Sequence, residues 1–275
     1  MSASSSWASG SGGARRVAPT WAHVLLVSLL LLGAVLYAQQ AYQFFLHDDE
    51  GSYAYAAWRI SLGEVPYRDF LTPQMPAFLY WGGLVVRLCG RSFVALRLSA
   101  MAMTLLAAYL FYAANRLLIG QRPALLALGL FLVHPDVFHN ARFFRPEAMQ
   151  LLFQMAGLYL FILAEERRGR AILYVPAGLA FALAILSKLF GLLPLAGCFL
   201  YLLYAGWSER RPLRRILRQG LALGLPVLLL VGAVALVFVR ITPYFVTAVL
   251  EHHTMQGAGM SLAQRAGKAL AFYRV

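Results

Sequence analysis

Long apolar runs separated by short basic clusters set the pattern of the whole chain. Residues 17–46 contain no Asp, Glu, Lys or Arg, and the central 22–43 are about the length an α-helix needs to cross ~30 Å of hydrocarbon. Six further runs of that size follow at about 92–115, 122–139, 147–164, 171–188, 189–207 and 219–240. Helix is the element expected in each, because a segment in lipid must satisfy its own backbone N–H and C=O groups. Residues 70–86 are also free of charge, and counting them as a span inverts everything after them. If they stay on the surface, Arg116, Arg122, Arg167, Arg168, Arg170, Arg210, Arg211, Arg214, Arg215 and Arg218 fall on the same side as Arg15 and Arg16. That is the arrangement the positive-inside bias favours. Pro66, Pro73 and Pro76 also make this stretch a poor continuous span. The pattern therefore predicts an all-α, polytopic transmembrane bundle of about seven spans. Its N-terminus is cytoplasmic, and a long first extracytoplasmic loop carries interfacial helices. The first of these is an amphipathic segment with Tyr53, Ala54, Ala57, Trp58 and Ile60 on its apolar face.

Composition agrees. The 275 residues are 61% hydrophobic and 13% charged, against about 25% charged in an ordinary soluble domain, and the mean hydropathy is +0.67. The net charge of +13 could suggest nucleic acid, but the cations flank apolar runs, as membrane insertion requires, and nucleic acid is not expected as a partner. Residues 1–20 are rich in Ser and Gly and read as a disordered cytoplasmic tail. The apolar run that follows is too long for a signal-peptide core. Cys89 and Cys198 have no ligand-like spacing and read as packing residues.

With this topology eight of the eleven acids face outward: Asp48, Asp49, Glu50, Glu64, Asp69, Asp136, Glu147 and Glu251. Insertion alone does not demand such segregation, since acids are weak topology determinants. The densest cluster is His47-Asp48-Asp49-Glu50, just after the first span. Adjacent carboxylates suit metal coordination, proton transfer or substrate hydrogen bonds, and Asp48, Asp49 and Glu50 are candidate ligands for a divalent cation such as magnesium or manganese. The alternative is a solvated helix N-terminus, where acids complement the dipole; the residues leave both open. Arg142, Arg145 and Glu147 lie at another span boundary, and Arg142 reads as a snorkelling side chain. Lys188 interrupts an apolar pair of helices at an outer turn, where an ammonium could hold a lipid phosphate. Glu251-His252-His253 could supply ligands or a proton shuttle, or be an ordinary polar loop. Neither a nucleotide-binding Gly-rich loop nor a Ser-His-Asp arrangement stands out.

These residues fall in a familiar order. Asp49-Glu50 followed by Tyr53-Ala54, then Gly63-x-x-Pro66-Tyr67, resembles the first outer loop of the GT-C membrane glycosyltransferases. The likeness is greatest to bacterial relatives of protein O-mannosyltransferases and of the lipid A aminoarabinose transferase, with a domain also like that of lipopolysaccharide galacturonosyltransferases. Pro73-x-x-Pro76 with Tyr80-Trp81, Arg97 with Ser99, Arg145-Pro146-Glu147, Ser187-Lys188 and Glu251-His252 continue the resemblance over residues 22–255.

The resemblance implies a multi-pass enzyme of the cell (inner) membrane that moves a sugar from a polyprenyl-phosphate carrier to an acceptor hydroxyl on the extracytoplasmic face, with inversion, in cell-envelope glycan or lipopolysaccharide modification. Asp49 would be the general base, Glu50 would position the acceptor or a cation, and Glu147 would be the second acidic contact. Lys188 and Arg145 would hold the departing lipid phosphate, with Glu251 and His252 also near the donor. Where the aminoarabinose branch has Lys, Arg and Arg, this chain has Met75, Ser52 and no Arg near Met255; these departures point away from aminoarabinose as the sugar and lipid A as the acceptor. Relatives continue beyond this point, so residues 256–275 are expected to begin a further extracytoplasmic region. The competing classes are a lipid-linked sugar flippase, which would place charges at mid-membrane and show inverted repeats, and a non-catalytic membrane remnant.

Overall fold

The computed structural model describes residues 20–39, 41–42, 48–167 and 170–251, and, within these, the side chains of all but Asp48, Leu250 and Glu251. Among the described residues helices joined by short loops make up the structure, with a single isolated bridge between Pro66 and Phe70. Helix α1 is Thr20–Ala38, α2 Asp48–Ser61, α3 Pro76–Cys89, α4 Phe93–Ile119 and α5 Gln121–Val133. Then come α6 Pro135–Asn140, α7 Pro146–Glu166, α8 Val175–Ser187, α9 Leu192–Ser208, α10 Leu213–Ile241 and the short α11 Tyr244–Val246.

Proline and glycine set most of the boundaries. Pro76 and Pro146 open α3 and α7, where a missing N–H costs nothing. Gly90 and Gly120, with φ of 74° and 84°, end α3 and α4 in a conformation other residues avoid. Ser92 caps α4 by accepting from the Ala95 N–H at 3.2 Å.

Five described helical segments are long and apolar enough to cross a membrane: Thr20–Ala38, Phe93–Ile119, Pro146–Glu166, Leu189–Ser208 and Leu213–Ile241. The spans expected at 122–139 and 171–188 are present as shorter helices. The first breaks at His134-Pro135 into α5 and α6, and the second opens with a 3₁₀ turn, Ala171–Tyr174, before α8. The ambiguous stretch at 70–86 forms α3, whose 14 residues reach only about 21 Å. It packs along α2.

That packing is close. A Cβ on Gly82 would lie 2.8 Å from Ala57 Cβ, and one on Gly83 would lie 2.4 Å from Ile60 Cγ2, so the two short helices are held face to face by the absence of side chains. Tyr53, Phe78 and Phe144 then pack in sequence, the first pair edge-to-face and the second tilted, with centroids 5.3 and 4.7 Å apart, and join α2 and α3 to the loop before α7. Helices α4, α7, α8 and α10 pack consecutively beneath them. At Gly178 in α8 a Cβ would lie 2.2 Å from the backbone oxygen of Leu223 in α10, and backbone cannot rotate aside. Gly178→Ala is therefore expected to separate the two helices and destabilise the protein by about 1–3 kcal/mol, read as a lower Tm of the purified chain; an unchanged Tm would contradict this packing.

A group of arginines marks one end of the bundle. Alternation of the helices puts Arg116, Arg122, Arg167, Arg170 and residues 210–218 at one end, and Arg122 stacks over Trp21 at the start of α1, 5.9 Å from the ring. Large apolar side chains such as Leu200, Trp207 and Leu228 stand exposed on the flanks, the surface that lipid covers. The chain is a multi-pass membrane protein.

Candidate active site

Opposite the arginine-rich end, a cavity of about 760 Å³ opens between α2, the loop at residues 70–74, the start of α7 and the turn after α8. Asp49, Tyr53, Gln74, Arg145, Glu147 and Lys188 all line it. Four of them form a line of alternating charge. Asp49 Oδ2 lies 3.6 Å from Arg145 Nη2, which is 3.2 Å from Glu147 Oε1, and that oxygen accepts from Lys188 Nζ at 2.7 Å. Glu147 thus keeps two cations close together that would otherwise repel. Arg145 Nε and Glu147 Oε2 are buried with no hydrogen-bond partner among the described residues, a state that costs free energy in a closed protein and is relieved by a ligand. Asp49 is half-exposed at the cavity mouth, whereas Arg145 is 16% exposed.

Each of these side chains is delivered by a helix end. Asp49 is in the first turn of α2, Arg145 is the N-cap of α7 with Glu147 in its first turn, and Lys188 follows the last residue of α8. The far wall belongs to the loop after α2, which is clasped several times. The Val65 N–H and Arg68 guanidinium both donate to the Asp69 carboxylate, and with Arg68 as the larger cause they hold it down at about 2. Thr242 Oγ1 donates to the Tyr67 carbonyl at 3.1 Å, and Tyr67 Oη to that of Gln74 at 2.5 Å. Gln74 Nε2 in turn donates to Tyr53 Oη at 3.1 Å. Burial, then the charges of Asp49 and Glu147, raise the Tyr53 phenol well above its ordinary value, outweighing Arg145. It stays neutral and keeps a proton to donate.

Glu50 does something different from what its neighbour suggests. A helix turns about 100° per residue, so Glu50 points away from the cavity and is fully buried. Its carboxylate takes a fork from Arg97, Nε at 2.8 Å and Nη2 at 2.6 Å, and also accepts from the Phe144 N–H at 2.9 Å. Arg97 Nη1 further donates to the Ala41 carbonyl at 3.3 Å. The expectation that Glu50 shares a ligand with Asp49 is corrected by this geometry: Glu50 ties α2 to α4 and to the loop that carries Arg145.

The same rotation bears on the cation expected at Asp48, Asp49 and Glu50. No group of three or more His, Cys, Asp or Glu residues that could hold a metal exists among the described residues. Asp49 lines the cavity and Glu50, committed to Arg97, does not, so those two carboxylates do not share a cation there. The side chains of Asp48 and Glu251, and all of His47, His252 and His253, lie outside the described residues.

Arg142 behaves as a boundary cation, donating to the Phe138 carbonyl at 3.0 Å with its guanidinium over the Phe138 ring. Arg97, which anchors Glu50 behind the cavity, and Tyr53 and Gln74, which line it, are residues to which the sequence assigned no chemistry. A signal for the first was present: a lone arginine within the first turn or two of an apolar helix needs a buried acid.

Fold and cavity define a polytopic helical membrane protein with a charged pocket at the end opposite Arg116, Arg122 and residues 210–218. Residues 72–238 match the profile of the family described as dolichyl-phosphate-mannose-protein mannosyltransferase, and the chain belongs to that family. Its fold is similar to that of the S. cerevisiae protein O-mannosyltransferase Pmt1-Pmt2 complex bound to the sugar donor, with a TM-score of 0.67 at 17% identity over 85% of this chain. This chain covers 37% of the length of that one. No curated protein matches the sequence.

Proposed function

We propose that this chain is a membrane glycosyltransferase of the GT-C type that transfers a sugar from a polyprenyl-phosphate carrier to an acceptor hydroxyl at the extracytoplasmic face. The family description makes mannose the first sugar to test. The observation that carries this reading is the alternating line Asp49–Arg145–Glu147–Lys188 along one cavity wall. It places a half-exposed carboxylate beside two cations held close together, the combination that a base and a leaving phosphate require.

In this reading the acceptor oxygen approaches from the Asp49 side. Asp49 takes its proton as the oxygen bonds to the anomeric carbon, and the bond from that carbon to the phosphate oxygen breaks with inversion. The negative charge gathering on the lipid phosphate is met by Lys188 and by the unpartnered Nε of Arg145. Glu147 serves as the brace between those two cations, and the neutral Tyr53 phenol, fixed by Gln74, donates to a sugar or acceptor oxygen. No step is routed through a metal. Charge lies at helix ends facing one cavity rather than at mid-membrane, which favours transfer over transport.

Lys188→Met is expected to lower transfer by about 10²–10³-fold by removing a donor aimed at developing charge, while Lys188→Arg restores part of it. The check is a membrane assay with radiolabelled polyprenyl-phosphate mannose, repeated with the glucose and galacturonic acid analogues. Wild-type transfer from Lys188→Met membranes would remove the lysine from the mechanism, and failure with every sugar donor would reject the enzyme reading.

A further inference from the structure

Apart from the site, the described residues form a second polar concavity at the arginine-rich end of the bundle. It measures about 740 Å³ and is lined by Arg170, Arg214, Arg215, Arg218 and Gln219, with no acid on its wall. Positive-inside insertion explains why arginines are at this end; it does not explain why four converge on one hollow. Glu165 and Glu209 are both engaged by Arg211, with Nη2 2.8 Å from Glu165 and Nε 2.9 Å from Glu209. The first turn of α10 also faces it, adding the positive end of a helix dipole.

One helical turn further along the same elements, an apolar groove of about 530 Å³ lies between α8 and α10. The two share stripes. On α10 the lining positions run Arg214, Arg218, Leu221, Leu225 and Leu229, and on the facing element Ile172, Val175 and Leu179, steps of three and four that keep one helix face. From Leu221 to Ala233 the groove extends about 18 Å, close to the ~15 Å of one leaflet's hydrocarbon.

We infer that this composite surface is a binding site for an anionic phospholipid of the leaflet at the arginine-rich end, its phosphate among Arg214, Arg215 and Arg218 and one acyl chain along α10. Guanidinium forks suit phosphate oxygens better than a point charge does. A leaflet-long groove fits an acyl chain rather than the much longer tail of a polyprenyl carrier. The site is distinct from the cavity at Asp49 and does not depend on the proposed transfer reaction.

The test is native mass spectrometry of the full chain in detergent, titrated with phosphatidylglycerol and with phosphatidylcholine of the same acyl chains. Phosphatidylglycerol is expected to bind at least about tenfold tighter. The double variant Arg214→Gln/Arg218→Gln, at two exposed positions, should abolish that preference. Ala233→Phe, which fills the groove, should weaken both lipids severalfold and leave the ratio intact. Equal affinity for the two lipids, or a preference that survives the double variant, would overturn the site. Displacement of the lipid by millimolar inorganic phosphate would reduce it to an anion hollow, and tighter binding of polyprenyl phosphate would assign it to the carrier instead; both contradict the phospholipid assignment.

Discussion

Asp49→Asn is expected to reduce sugar transfer by about 10²–10⁴-fold, the usual contribution of a positioned general base, while leaving insertion, expression and Tm essentially unchanged. The asymmetry follows from where Asp49 stands. It is half-exposed at the cavity mouth, and its pairing with Arg145 is a long 3.6 Å; an exposed ion pair of this kind contributes about 0–1 kcal/mol to stability. Asparagine preserves shape and can still hydrogen-bond Arg145, but it cannot accept the acceptor's proton at neutral pH. Donor binding should survive, because the phosphate contacts lie further along the wall at Arg145 and Lys188. Wild-type transfer by Asp49→Asn membranes would remove the assigned base.

Breaking the adjacent Glu50–Arg97 pair should have the opposite signature. Glu50 is 0% exposed and Arg97 3% exposed, so deleting either partner strands a buried charge, at a cost of about 3–5 kcal/mol. Glu50→Ala additionally strips the Phe144 N–H of its acceptor, and Phe144 immediately precedes Arg145. The expected result is a marked loss of Tm or of folded yield, with activity falling in proportion to folded protein. A double replacement, Glu50→Gln with Arg97→Met, should recover part of the stability, since replacing a buried ion pair by neutral groups costs less than leaving half of it. Low activity with wild-type stability in Glu50→Ala would instead place Glu50 in the chemistry. Measuring Tm and turnover on the same preparations separates the two outcomes.

The difference between these adjacent acids was not legible in the sequence. Asp48-Asp49-Glu50 reads as one cluster until helical rotation is combined with a partner from α4, 47 residues away. Composition and the arginine count, by contrast, carried the all-helical membrane fold and the gathering of Asp49, Arg145, Glu147 and Lys188 at one end, because these depend on solvent and on helix ends rather than on particular contacts. The motif order likewise carried the family. The breaks in the segments at 122–139 and 171–188 were half-visible: Pro135 and Pro176 mark positions where a helix must begin or stop, yet hydropathy runs straight through both. Tyr53 and Gln74 escaped notice because an aromatic on an amphipathic helix and an amide in a loop are commonplace, and only tertiary packing makes them neighbours.

The shared-pocket account divides its residues between holding the donor and activating the acceptor, and one measurement separates these roles. Binding of radiolabelled polyprenyl-phosphate mannose to purified wild type, Asp49→Asn and Lys188→Met, followed by chase with acceptor, reports both steps on the same sample. The account predicts that Asp49→Asn binds the donor like wild type and fails to discharge it, whereas Lys188→Met binds it at least tenfold more weakly, about 1.4 kcal/mol. Equal donor binding by all three, with normal discharge from Asp49→Asn, would contradict it.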